Sequence, residues 1–291
     1  MDYQSYEATI ISVIDESPSV KSFDMSLTGG NFDFFPGQYI DLFVETPVGT
    51  IVGGYSITSA PIHDKNRISI AVKKIEGALA TVQLHERTNV GDTFHLQGPG
   101  GDFYYEKDIE KPVVFIAGGI GITPFISMMR YIDKTNPTLP VALIYSAKIP
   151  SELIFKEEIV NIAKRNANMN PTFTITQPSA TKGDWTGRIG RIDRSLLSEL
   201  ASQKSNLFLI SGPDEMQENV EAILGEISYF IQGCVDCLIN DNCASLFCDN
   251  YDDEYDCENY GYECEWSDDG NGNGHCQKDE GLSLIHYSEP T

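Results

Sequence analysis

Apolar residues in the first hundred positions recur at every second place, in short runs broken by turn residues. Ala8, Ile10 and Ser12 alternate with Thr9, Ile11 and Val13 in one run. Phe23, Met25 and Leu27 share a face of the next, which ends at Gly29-Gly30. Pro36-Gly37 turns the chain into Gln38–Glu45, and further runs cover Ile51–Ser59, Arg67–Ile75 and Asp92–Gly98. One helical stretch, Ala78 to Arg87, interrupts them. Many short strands between Gly/Pro turns predict a small antiparallel β-barrel.

The period changes after Pro112. Val113-Val114-Phe115-Ile116-Ala117 is apolar throughout, as in a strand covered on both faces. Ile122, Phe125, Ile126 and Met129 then follow helical spacing. The alternation repeats: strand Val141–Ser146, helix Ser151–Arg165, strand Thr172–Gln177, helix Asp193–Ser202, strand Asn206–Ser211. A last helix starts near Asp214 and aligns Met216, Val220, Ile223, Leu224 and Ile227. Strand–helix alternation predicts a parallel α/β sheet, which binds ligands at the carboxyl ends of its strands. The loops of interest are therefore 117–124, 146–151, 177–187 and 211–215. The expected organisation is a barrel domain over 1–108, an α/β nucleotide-binding domain over 109–227 and an irregular tail over 228–291.

Composition sets the tail apart. Of 43 acidic and 20 basic residues, 15 acidic and a single basic one, Lys278, lie beyond residue 227. All seven cysteines fall between Cys234 and Cys276, so the chemistry of the body cannot rest on thiols. Cys234-x-x-Cys237 has no second pair at zinc or iron–sulfur spacing, and the five histidines show no ligand spacing, so no metal is expected. The last ten residues, Leu282 to Thr291, are similar to a translated sequencing adapter, which would make that end foreign to the protein. A net charge of −23 repels phosphate backbones and argues against nucleic acid as a partner. No apolar run is long enough for membrane insertion and the start carries no export signal, so the expected location is cytoplasmic.

Four segments offer chemistry. Ala117-Gly118-Gly119-Ile120-Gly121-Ile122-Thr123-Pro124 joins a buried strand to a helix; its glycines admit a nucleotide to the backbone, and the helix start offers N–H groups to a pyrophosphate. Pro124 suits a first helical turn. Gly54-Tyr55-Ser56-Ile57-Thr58-Ser59 ends a barrel strand with a ring that can lie flat on a flavin and a hydroxyl beside it. Gly77-Ala78-Leu79-Ala80-Thr81 opens the barrel's helix, a second phosphate-suited N-terminus. Ser211-Gly212-Pro213-Asp214-Glu215-Met216 is a second turn at the sheet's binding edge.

In this order and spacing, the segments resemble the ferredoxin-NADP reductase superfamily. Its patterns R-x-Y-S, G-x-x-x-S/T, G-P-x-G-x-F, G-G-x-G-I-T-P and C-G-P-x-x-M have counterparts here. They are Gly53-Gly54-Tyr55-Ser56, Gly77…Thr81, Gly98-Pro99-Gly100-Gly101-Asp102-Phe103, Gly118…Pro124 and Ser211-Gly212-Pro213…Met216. The resemblance covers residues 6–227, and Val52-Gly53-Gly54-Tyr55-Ser56 is most similar to the oxidoreductase NAD-binding domain-containing branch. It implies a flavin oxidoreductase that takes hydride from NADH or NADPH and passes electrons to an external acceptor, with FAD rather than FMN as flavin. Tyr55 would stack on the flavin ring and Ser56 would bond near its N5, with Ile57 and Thr58 along the ring edge. Gly77, Ala78, Leu79, Ala80 and Thr81 would hold the flavin phosphate. Gly118, Gly119, Gly121, Ile122, Thr123 and Pro124 would receive the nicotinamide nucleotide, with Ser146 and Lys148 available to a 2′-phosphate. Gly212 and Pro213 would shape the nicotinamide pocket, and Ser211 replaces the family's Cys. The family's Arg ahead of Tyr-Ser is replaced by glycine, with Lys73 or Lys74 as possible substitutes.

Overall fold

The computed structural model describes residues 4–62, 65–107, 109–178, 185–201 and 206–240, with short pieces at 267–268, 274–275 and 283–287. Six antiparallel strands form the first unit: β1 (Gln4–Ser17), β2 (Val20–Thr28), β3 (Tyr39–Thr46), β4 (Gly49–Ser56), β5 (Arg67–Lys73) and β6 (Thr93–Gly100). Their order is β4-β3-β6-β1-β2-β5. A bridge between Ile57 and Ile70 and a bond from Thr58 N–H to the Ser69 carbonyl (2.7 Å) join the two ends, so the sheet curls on itself. Alternation puts Ala8, Ile10, Phe23, Met25, Leu42 and Leu96 inside. The expected run in β1 breaks at a register shift between Ile10 and Ser12, after which Val13, not Ser12, packs against this core. Helix α1 (Leu79–Arg87) packs over β3 and β4 and buries Ala80 and Leu84.

The second unit is a parallel sheet of order β10-β9-β8-β7-β11. It comprises β7 (Val113–Gly118), β8 (Val141–Ala147), β9 (Met169–Ile175), β10 (Arg188–Ile189) and β11 (Leu207–Ser211), with helices α2 (Thr123–Thr135), α3 (Lys156–Arg165), α4 (Arg194–Ala201) and α5 (Asp214–Asn240). Strand order runs outward in both directions from β7, so the switch point where such sheets bind ligands lies between β7 and β11. The α2 residues Ile126 and Met129 and the β7 residues Val113 and Phe115 share one core. Phe103 and Tyr105 from the barrel side, with Val20 and Ala71, enter the same core. Each such buried side chain contributes about 1.5–3 kcal/mol.

Several elements differ from expectation, β9 for one beginning at Met169 rather than Thr172. α3 starts at Lys156 rather than Ser151, because Pro150–Glu152 forms a 3-10 turn and Phe155 is left-handed (φ 58°). The two-residue strand β10 is too short to leave a periodic signal. Helix α5 continues past the expected end at 227 to Asn240, and Ser283–Tyr287 pairs in parallel with β11, Tyr287 opposite Ser211. The cysteines from Cys243 onward, and most of loop 177–187, lie outside the described residues. No helix among the described residues is long and apolar enough to cross a membrane, and no group of three or more His, Cys, Asp or Glu among them is placed to hold a metal.

Candidate functional site

The turn after β7 is built by close backbone packing against the turn after β11. A Cβ on Gly121 would overlap the Ser211 carbonyl, and one on Gly212 would lie 2.9 Å from Gly118 Cα. A Cβ on Gly118 would meet Met216 Sδ at 2.6 Å and Pro213 Cδ at 2.9 Å. Three glycines are thus required by contact, and the two turns meet at the switch point. Gly119 serves differently: it is left-handed (φ 57°) with open space beside it. Residues 119–122 form a 3-10 turn and α2 follows with Pro124 in its first turn, no side-chain cap and no acidic residue there. The Thr123 N–H donates to the Ile120 carbonyl and Pro124 has none, so the turn 119–122 and α2 run on as one continuous element.

The predicted side chains around this loop divide. Ser211 is buried and its hydroxyl has no hydrogen-bond partner. Leaving such a group unpaired costs about 1–3 kcal/mol, so it marks a place where a ligand group can pair. Thr123 is buried and donates to the Ile120 carbonyl (3.0 Å), so its hydroxyl shapes the turn. Ile122 is buried in the core. Ser146, last but one in β8, lies beside Gly118, and Lys148 stands exposed two residues on. Gln217, buried, donates to the Gly212 carbonyl (2.8 Å) and fixes the second turn.

The barrel half is looser. Tyr55 sits near the end of β4, and its ring folds back over Gly53: a Cβ there would lie 2.5 Å from the phenol oxygen. Burial pushes the Tyr55 phenol up to about 12, so it stays neutral at any working pH. Ser56 and Thr58 are buried; the Ile57 side chain belongs to the barrel core and its backbone bridges to Ile70, closing the barrel. Gly77 is left-handed (φ 85°) with no atom within 4 Å of where its Cβ would be. α1 then opens at Leu79 with no side-chain cap and no acidic residue in its first turn. The Thr81 hydroxyl accepts from Ile75 N–H (3.1 Å) and reaches the Ala78 carbonyl (3.0 Å), tying the loop shut. Lys74, a possible stand-in for the missing Arg, pairs with Glu86 (2.7 Å) in the last turn of α1, the far end from those N–H groups.

Helix α2 joins the halves. Its Ser127 hydroxyl donates to the Ser59 carbonyl (2.6 Å), and Arg130 donates to the Thr58 carbonyl (2.7 Å). Sequence reading missed both; the one available signal was a serine inside an apolar helical stripe. The strand end carrying Tyr55 and the helix opening at Thr123 therefore lie on the same side of the molecule, at the domain junction.

An oxidoreductase FAD-binding domain matches residues 7–105 and an oxidoreductase NAD-binding domain matches residues 115–222. Oxidoreductase NAD-binding domain-containing protein 1 of Bos taurus is 30% identical over 231 residues, 72% of this chain and 73% of that protein. The chain belongs to the ferredoxin-NADP reductase superfamily. Another of its members, the anthranilate 1,2-dioxygenase electron transfer component of Acinetobacter baylyi, is 28% identical over 231 residues, 79% of this chain. The chain spans 64% of the length of that relative. Among solved structures, the FAD/NAD-binding domain of nitric oxide dioxygenase from Vibrio cholerae aligns with a TM-score of 0.67 at 26% identity, covering 76% of this chain and 92% of that one. The superfamily's two cofactors, FAD and a nicotinamide nucleotide, fit the residues present. The unpartnered Ser211 hydroxyl and the open side of Gly119 suit the nucleotide. The open side of Gly77 and the uncapped α1 suit a flavin phosphate.

Proposed function

We propose that this chain is an NAD(P)H:acceptor flavin oxidoreductase. Flavin, when bound, would supply the redox chemistry, as acceptor of hydride from reduced nicotinamide and donor of electrons to an external acceptor. The protein holds donor and acceptor together and excludes water. In this reading Tyr55 offers its ring face to the flavin and Ser56 a hydroxyl near N5. The loop Gly77–Thr81 and the first N–H groups of α1 receive the flavin phosphate. Gly118, Gly119 and Gly121 bring the backbone against the dinucleotide and its pyrophosphate. Ser211 meets the nicotinamide, with Gly212 and Pro213 as the pocket wall. No general acid is required, since hydride transfer moves no separate proton. The segment following β8, residues 148–155, carries one lysine, Lys148, and no arginine, and this lack of an arginine cluster favours NADH over NADPH.

The observation that carries the reading is the meeting of the β7 and β11 turns at the switch point, with α2 reaching from there to the strand end after Tyr55. The test is the visible spectrum of the purified chain under argon. A flavin spectrum that bleaches on adding NADH or NADPH supports it; a flavin spectrum that neither coenzyme bleaches refutes it. A second reading, a nucleotide-binding module that holds flavin weakly, is favoured by the Tyr55 ring lying in the space above Gly53 where the family's Arg would stand. Colourless protein that gains flavin only at high added concentration would select it.

A further inference from the structure

We infer that Ser127 and Arg130 are positioning residues that set the approach of nicotinamide to flavin; this rests on the oxidoreductase reading above. α2 begins at Thr123, directly after the nucleotide loop. One turn on, about 6 Å along the axis, fully buried Ser127 holds the Ser59 carbonyl, and Arg130, three residues further, holds that of Thr58. Those carbonyls follow Tyr55 by three and four residues, about 10–14 Å of extended chain. The path from the nucleotide loop to the flavin wall is therefore one rigid helix and a few residues of strand.

Arg130 is over-determined for a surface residue. Its Nε and Nη2 donate to the two carboxylate oxygens of Glu158 (2.7 and 2.6 Å), its Nη1 donates to Thr58, and its guanidinium lies 5.4 Å from the Phe155 ring centroid. Glu158 and left-handed Phe155 belong to the start of α3, so the guanidinium has one available orientation. A planar fork can hold the carboxylate edge-on while its remaining nitrogen faces the strand; a lysine ammonium cannot do both. The bond to Thr58 reaches a backbone carbonyl, so it fixes the position of the strand and not merely a side chain. A misplacement of about 1 Å between reacting atoms costs on the order of 100-fold in rate. The two bonds are of the kind that prevents it.

The test is anaerobic stopped-flow reduction of full-length wild type, Ser127→Ala, Arg130→Lys and Arg130→Ala by NADH and NADPH, with flavin content measured on each sample. The limiting rate of flavin reduction is expected to fall roughly 10–100-fold in Arg130→Ala and less in Ser127→Ala and Arg130→Lys. The coenzyme Kd should stay within about threefold of wild type, and flavin content should be unchanged. The long-wavelength absorbance of the stacked nicotinamide–flavin pair should weaken in the same order. A merely structural role would lower melting temperature and flavin content without moving the limiting rate of the remaining holoenzyme. Wild-type limiting rates in folded, flavin-loaded variants overturn the inference and leave the oxidoreductase reading standing; so does a loss confined to Kd. If Arg130→Ala does not fold, Ser127→Ala and Arg130→Lys decide by the same criteria. A flavin-loaded wild type that neither coenzyme reduces overturns both.

Discussion

The two halves of the site are made in opposite ways. Around Gly118, Gly121 and Gly212, backbone packs on backbone, Gln217 pins one turn from beneath, and the shape exists before any ligand arrives. Beside Gly77 there is open space, the Tyr55 ring is folded over Gly53, and glycine stands where the family has arginine. The nucleotide half is complete by geometry, while the flavin half relies on its ligand to finish it. A fold can thus keep its binding architecture while varying how tightly each cofactor is held.

The strongest challenge to this contrast is a methyl group. Gly121→Ala would press a Cβ against the Ser211 carbonyl, with backbone on both sides and no flexible side chain to yield. The expected cost is about 2–3 kcal/mol, or roughly 5–10 °C in Tm for a unit of this size, together with loss of NADH binding by titration. Gly119→Ala, which meets open space and bears only its left-handed backbone, should cost about 1 kcal/mol and keep coenzyme binding. Equal losses in the two variants would show that the nucleotide turn is not preformed by contact.

The flavin half is expected to respond in the opposite direction. Gly53→Arg would push the Tyr55 ring off Gly53, since its phenol oxygen, Cε2 and Cζ lie 2.5, 2.8 and 2.8 Å from the new Cβ. It would restore a cation worth about 1.5–3 kcal/mol to a phosphate, so flavin Kd should tighten tenfold or more by fluorescence titration. No change would mean that the cradle already has its full set of partners.

A smaller effect comes from alkali. The Tyr55 phenol is raised from 10 to about 12 in the folded chain. The folded state therefore binds more protons than the unfolded one between those values, and stability is intact below pH 10 and declines as pH rises toward 12. The decline attributable to Tyr55 is about 2 kcal/mol. Tyr145, also buried and raised, adds to the trend, so Tyr55→Phe should remove part of the alkaline loss of Tm and not all of it. An unchanged alkaline profile in Tyr55→Phe would place that ring in solvent.

Much of this was legible in the sequence, for physical reasons. Glycines at strand–helix junctions announced the nucleotide turns because no other residue survives such contacts, and the fully apolar Val113–Ala117 could only be a central parallel strand. Where the code is local, reading succeeded. It failed where tertiary contact decides. Nothing in Leu153-Ile154-Phe155 signals that the first two are buried, that the third is left-handed and that α3 starts only at Lys156. Nothing near Thr58 signals that its carbonyl is claimed by an arginine 72 residues away. Gly53 read as a missing arginine; only coordinates reveal that Tyr55 fills the gap. That Ile57 bridges to Ile70 and closes the barrel was likewise unreadable, because alternation alone does not say which strands meet.

The FAD-binding and NAD-binding matches end and begin ten residues apart, yet Phe103 and Tyr105 lie among Phe125, Met128 and Met129. A cut drawn between the two matches would strip an apolar face from both pieces. Calorimetry on the intact chain should accordingly record one cooperative transition for both halves. Lineages that recombine such proteins are then constrained to inherit barrel and sheet as a matched pair.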